Sequence, residues 1–181
     1  MFQIKLKQKN IKAVLKCGAG FTLIESLVAM TILITAILGP MSIAANGIAS
    51  AGYVRDQTTA FFLAQEGLEY VRNMRDSNAL TTPPLDWLAG LSACVSSSCT
   101  INPSNNIINA CTGTCPAVRY DSTSNMYGYA AGSETNFTRT ISITTSVADR
   151  EVVVSSTVTW KRGALGERST TVEETLFNWH K

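Results

Sequence analysis

Glu25 is the residue of this 181-residue chain whose position most needs a chemical reason. It lies four residues into an otherwise apolar run from Phe21 to Leu38. A charge near the middle of a membrane helix costs roughly 2.5–3.5 kcal/mol on insertion scales. The cost is offset when a cation meets the carboxylate, and a cut after Gly20 would create one. The freed amino group of Phe21 on one copy would then face Glu25 on the next. Four cysteines form the second group: Cys94, Cys99, Cys111 and Cys115, with Cys17 far upstream. Placed outside an oxidising membrane boundary they are candidates for disulfides, and four cysteines permit three pairings. Neighbour pairing would join Cys94 to Cys99 and Cys111 to Cys115. A nested pairing, Cys94 to Cys115 and Cys99 to Cys111, would staple a hairpin across residues 100–110, and is slightly favoured. Zinc held by all four thiolates is weighed against these, but the spacing is looser than paired C-x-x-C and an oxidising location disfavours it.

Catalytic constellations are not found. His180 is the single histidine and has no partners for a triad. There is no G-x-S-x-G, no G-x-x-x-x-G-K-[ST] and no G-x-G-x-x-G, so neither a nucleophile elbow nor a nucleotide site is indicated. No enzyme activity, no cofactor and no resident metal are expected.

The segment Gly20-Phe21-Thr22-Leu23-Ile24-Glu25 with its apolar continuation resembles the type IV prepilin signature. The resemblance implies that a membrane aspartyl peptidase removes residues 1–20 after Gly20 and that Phe21 is N-methylated. It further implies that Glu25 aligns incoming subunits during assembly. The segment from Ala60 to Arg72 and the ending, Val154 to Trp160 then Ser169 to Trp179, are similar to minor pilins of the PilV type. Type II secretion pseudopilins share this layout and are the near alternative. Many of them are short where this chain spends nearly forty residues.

Charge supports a topology. Residues 1–20 carry Lys5, Lys7, Lys9, Lys12 and Lys16 and no acid, which holds that end in the cytoplasm by the positive-inside rule. Removing those five lysines leaves 10 basic against 13 acidic residues, so the mature chain is about −3 although the whole sequence is +2. A conventional secretory signal, cut at Ala49-Ser50-Ala51, is the competing account of the amino end, but it leaves Glu25 unexplained. The expected location is a single pass through the cytoplasmic (inner) membrane, then an extracytoplasmic filament or pseudopilus. The partners implied are the prepilin peptidase, other pilins or pseudopilins, an inner-membrane assembly platform and membrane lipid.

The positioning elements follow from periodicity. Residues 21–77 read as one long helix. Its membrane and filament-core half (21–45) is apolar all round, and 18 residues at 1.5 Å span roughly 27 Å, near the hydrocarbon thickness. Gly39-Pro40, Asn46-Gly47 and Gly52 should kink or partly melt it. The amphipathic half (46–78) carries a stripe of Phe61, Ala64, Leu68, Val71 and Met74. Residues 79–118 are loop-like, broken by Pro83-Pro84, Asn102-Pro103 and Asn105-Asn106, with strand-forming patches around 99–101 and 107–108. Residues 119–181 alternate with period two and predict an antiparallel meander. Its strands are Phe137–Val147, Val152–Trp160 and about Arg168–Phe177, and Tyr120 with Tyr127-Gly128-Tyr129 offers an extra edge strand. A helix with one apolar stripe and a sheet with one apolar face can each bury the other. The predicted class is α+β, a pilin-like lollipop whose globular head (79–181) packs three or four strands against the outer helix.

Two other readings were weighed on the residues. Lys161, Arg162 and Arg168 near Trp160 form a small basic cluster that would suit nucleic acid, which some resembling subunits bind, but a solvated turn explains it more simply. The chain could also be a membrane-tethered module that never polymerises and binds ligands through residues 79–116.

Overall fold

Helix α1 runs unbroken from Leu23 to Leu80 in the computed structural model, which describes residues 20, 22–163 and 166–179. The expected melting around Pro40, Gly47 and Gly52 is not seen. Proline removes one intrahelical bond at about 3 kcal/mol and each glycine costs about 1 kcal/mol, which weakens the helix locally without ending it, since a proline can be carried inside a helix as a kink. The chain divides into two compact units, Met1–Gly47 and Ile48–Lys181.

In the first unit the described part of α1 is long and apolar enough to cross a membrane, and none of its most apolar window is buried. Its few hydroxyls are spent on the helix itself. Thr31 Oγ1 donates to the Val28 carbonyl at 2.8 Å and Thr35 Oγ1 to the Thr31 carbonyl at 2.9 Å. Such back-bonding hides a polar group from an apolar solvent.

The second unit is an α+β head. Beyond α1 it contains a short helix α2 (Ser92–Ser96) and seven strands: β1 (Cys99–Asn102), β2 (Ile107–Ala110), β3 (Ala117–Asp121), β4 (Met126–Gly128), β5 (Ser133–Val147), β6 (Glu151–Lys161) and β7 (Glu167–Phe177). All pairings are antiparallel. Fifteen-residue β5 is the spine. One edge pairs with β6 along its length, and β6 with β7. The other edge pairs with β3, which carries β4 beyond it, near the start of β5, and with β1, which carries β2 beyond it, at Ile141.

The sheet is therefore larger than the three or four strands expected, and residues 79–118, loop-like over most of their length as expected, also contribute α2, β1, β2 and the start of β3. Trp87, Leu91, Cys94, Cys99 and Ile101 from that segment are buried in the same cluster as Leu68, Val71, Ile141, Ile143, Val152 and Val154. Prolines and asparagines there mark the turns between short elements rather than an open loop. The alternation of β6 is as expected, with Val152, Val154, Val158 and Trp160 inward and Ser156 sharing their face. On β5, Phe137, Ile141 and Ile143 point inward but Val147 is exposed. A register shift between Thr145 and Val147 turns it outward, the usual effect of an added residue in one strand.

The helix stripe also differs. The face buried against the sheet is Ala60, Leu63, Ala64, Gly67, Leu68 and Val71, while Phe61 and Phe62 stand in solvent. Small residues win this face because the helix lies close to the sheet. A Cβ added at Gly67 would sit 2.8 Å from both Ile141 Cδ1 and Ser156 Oγ, so only glycine fits without a shift.

Candidate functional site

The amino end of α1 is built by a local hydrogen-bonding pattern. Thr22 Oγ1 accepts from the Glu25 backbone N–H at 3.3 Å, and the Ser26 N–H donates to the Thr22 carbonyl at 3.1 Å. Thr22 is thus the N-cap and Glu25 stands at the third helical position, the spacing of a capping box. A carboxylate there also lies favourably in the helix dipole. That T-x-x-E signal was present in the sequence and gives Glu25 a purely local role beside any role in assembly. Glu25 is exposed, as are Leu23, Ile24, Leu27 and Val28 around it. Gly20 is exposed too, with open space where a side chain would stand. Phe21, the leader lysines, Cys17 and His180 lie outside the described residues.

The cysteines pair as Cys94–Cys99 and Cys111–Cys115, which corrects the nested pairing favoured from sequence. Register explains it. Cys99 opposes Ala110 across the β1–β2 ladder, so Cys111 falls one residue past its partner position, with its Cβ directed to the other face. Cys99 instead meets Cys94 from α2, and both are buried in the core. The four sulfurs a zinc ion would need are bonded to each other.

The basic cluster is taken up by the fold. Arg162 donates to the Gly52 carbonyl at 3.1 Å and to Asp56 Oδ2 at 2.6 Å, and Lys161 pairs with Glu167 at 3.2 Å. Trp160 is buried beside Phe137, so it offers no ring for stacking a base.

A central residue that the sequence reading missed is Arg139. It is fully buried on the core face of β5. Its guanidinium donates to the Leu63 carbonyl at 3.0 Å, the Ile101 carbonyl at 2.6 Å and Glu66 Oε2 at 2.5 Å. Three elements, α1, β1 and β5, are tied by one cation. The Tyr129 ring lies 6.0 Å away, and burial pushes the Tyr129 phenol up while the nearby Arg139 charge opposes the rise. In sequence, a charge between Thr138 and Thr140 reads as part of a solvent face. The one available hint was that Phe137, Ile141 and Ile143 put position 139 on the inward phase. A second tie joins α1 to β7, where Arg72 bridges Glu69 and Glu174, both at 2.6 Å. The hydrogen bond to Glu174 is the main cause raising the Arg72 pKa.

The whole is an α+β head on a chain that also carries one helix able to cross a membrane, with a carboxylate in that helix's first turn. No family model, curated protein or solved structure matches this chain.

Proposed function

We propose that this chain is a structural, non-enzymatic subunit of a type IV pilus or related filament, a minor pilin, processed after Gly20 and methylated at Phe21. One observation carries the reading: a carboxylate, Glu25, in the first turn of a membrane-length helix whose apolar surface is nowhere buried by its own fold. An 18-residue apolar surface needs cover, either lipid or other helices. Exchange of lipid for a bundle of like helices stores the subunit in the membrane and then holds it in the filament. The Phe21 amine of one copy neutralises Glu25 of its neighbour, which fixes register.

Mass spectrometry of the mature chain from a sheared surface fraction tests the processing, with an N-methylated Phe21 terminus expected. Assembly is tested with two variants. Glu25→Gln keeps the hydrogen-bonding reach of the capping box and loses only the charge, whereas Glu25→Ala loses both. Both are expected to be processed normally and to be missing from sheared filaments. Incorporation of Glu25→Gln at the normal level would falsify the ion-pair role and leave only the capping role.

A further inference from the structure

One cavity in the head has a lining that no part of the filament reading uses. It lies where the end of β1 and the β1–β2 turn meet the β3–β4 hairpin and the residues that follow it. Its volume is about 240 Å³, just under the ~300–1,000 Å³ of sites that take drug-sized ligands, so it has room for about one ring. Asn102, Asn105, Asp121, Ser124, Tyr127 and Tyr129 supply its chemistry. Asn102 is only 5% exposed. Its Oδ1 accepts the Ser104 N–H at 3.3 Å, while its Nδ2 has no partner among the described residues. A donor without a protein partner at the wall of an open cavity is available to an acceptor that enters it. Gly128 keeps that amide accessible, since a Cβ there would sit 3.2 Å from Asn102 Oδ1.

The lining also selects the ligand class. It contains no lysine, arginine or histidine, which disfavours phosphates and other anions. It has a single carboxylate, and no group of three or more acidic, histidine or cysteine residues occurs among the described residues. A calcium ion, which takes 6–8 oxygens, is poorly served. What remains is one strong acceptor, unpaired amide donors and tyrosine rings. Asp121 is held ionised below the usual carboxylate range by the Thr123 backbone N–H and the Ser124 hydroxyl, at 2.9 Å each. A sugar ring has the matching surface: hydroxyls at its rim and an apolar C–H face that lies against an aromatic ring.

We propose that this cavity binds one neutral pyranose, with Asn102 donating to a ring hydroxyl, Asp121 accepting from another and Tyr127 lying against the C–H face. The site does not depend on whether the chain polymerises.

The test uses the full chain in a detergent without sugar headgroups, probed by saturation-transfer NMR with the methyl glycosides of glucose, galactose, mannose and N-acetylglucosamine. Saturable binding of at least one, with a Kd on the order of 1 mM, is expected. Asn102→Asp keeps the acceptor for Ser104 and loses the donor. It should weaken binding by about tenfold or more. The new charge at a buried position also lowers the unfolding midpoint, so binding is read at a temperature where the variant is folded. Tyr127→Ala is the second variant and should weaken binding likewise, read under the same condition because its ring packs on Tyr120 and on the core. A disaccharide that binds as its terminal unit does would identify the end of a polysaccharide, and one that binds more weakly a free monosaccharide; either supports the site. Failure of all four glycosides to saturate overturns the proposal. So does binding indifferent to both variants, or binding abolished by a chelator, which would mark an ion site.

Discussion

The two parts of helix α1 share one continuous backbone and face opposite problems. Between Leu23 and Gly47 the helix is apolar on every side and buries nothing within its own fold. Between Ile48 and Leu80 it has a narrow inward face of Ala60, Leu63, Ala64, Gly67, Leu68 and Val71, all closed against the sheet. The first part depends on its surroundings for cover and the second on its own chain. Charge patterning separates them: the first part carries the single charge Glu25, whereas the second sets Arg55, Asp56, Glu66, Glu69, Arg72, Arg75 and Asp76 around its buried face. Within that face Ala60, Ala64 and Gly67 let backbone and sheet approach.

That contrast can be broken by mutation. The largest effect is expected at Arg139, because removing a buried partner leaves two main-chain carbonyls and Glu66 without their donor. Arg139→Ala should cost the head about 3–5 kcal/mol in denaturant unfolding. Next is Gly67→Val, where the new side chain has to push Ile141 and the Ser156 hydroxyl aside. A loss of about 1–3 kcal/mol is expected, read by the same experiment. Asp121 sharpens the comparison through pH. Its folded pKa lies below the ordinary 3.8, so its contribution is fully present above that value and is lost as pH falls through the folded pKa. The stability difference between the native chain and Asp121→Asn should therefore shrink on acidification below about pH 4. Smallest of all is Leu33→Ala. Head stability should stay within about 0.5 kcal/mol of the native value, because Leu33 touches nothing that the head buries. A larger shift would mean the two parts of the helix are not independent.

Much of the fold could be read from the chain. The alternation around Ile141, Val154 and Val158 states its own strand phase, and the Phe21–Leu38 run states its own length. What stayed hidden has physical reasons. Arg139 has the period of the core and the chemistry of the surface, and only three acceptors brought together from distant segments make its burial tolerable. Phe61 begins the stripe that the spacing predicts, yet it stands in solvent because the sheet lies against the neighbouring face of Ala60, Ala64 and Gly67. Cys99-Thr100-Ile101 and Ile107-Ile108 are legible as strand patches, but their pairing with each other and with Ile141 is not, because ladder partners come from separate segments. At the amino end Glu25 stood out at once. The T-x-x-E cap around it is equally visible in the sequence and assigns the same carboxylate a second, local role.

Arg139 grips β1 through the carbonyl of Ile101 and α1 through the carbonyl of Leu63. Every amino acid carries a main-chain oxygen. The segment bearing the disulfides and the turn asparagines is thus moored partly by a contact that ignores its side chains, so its exposed positions can diverge while buried Trp87, Leu91, Cys94, Cys99 and Ile101 keep it docked in the same place.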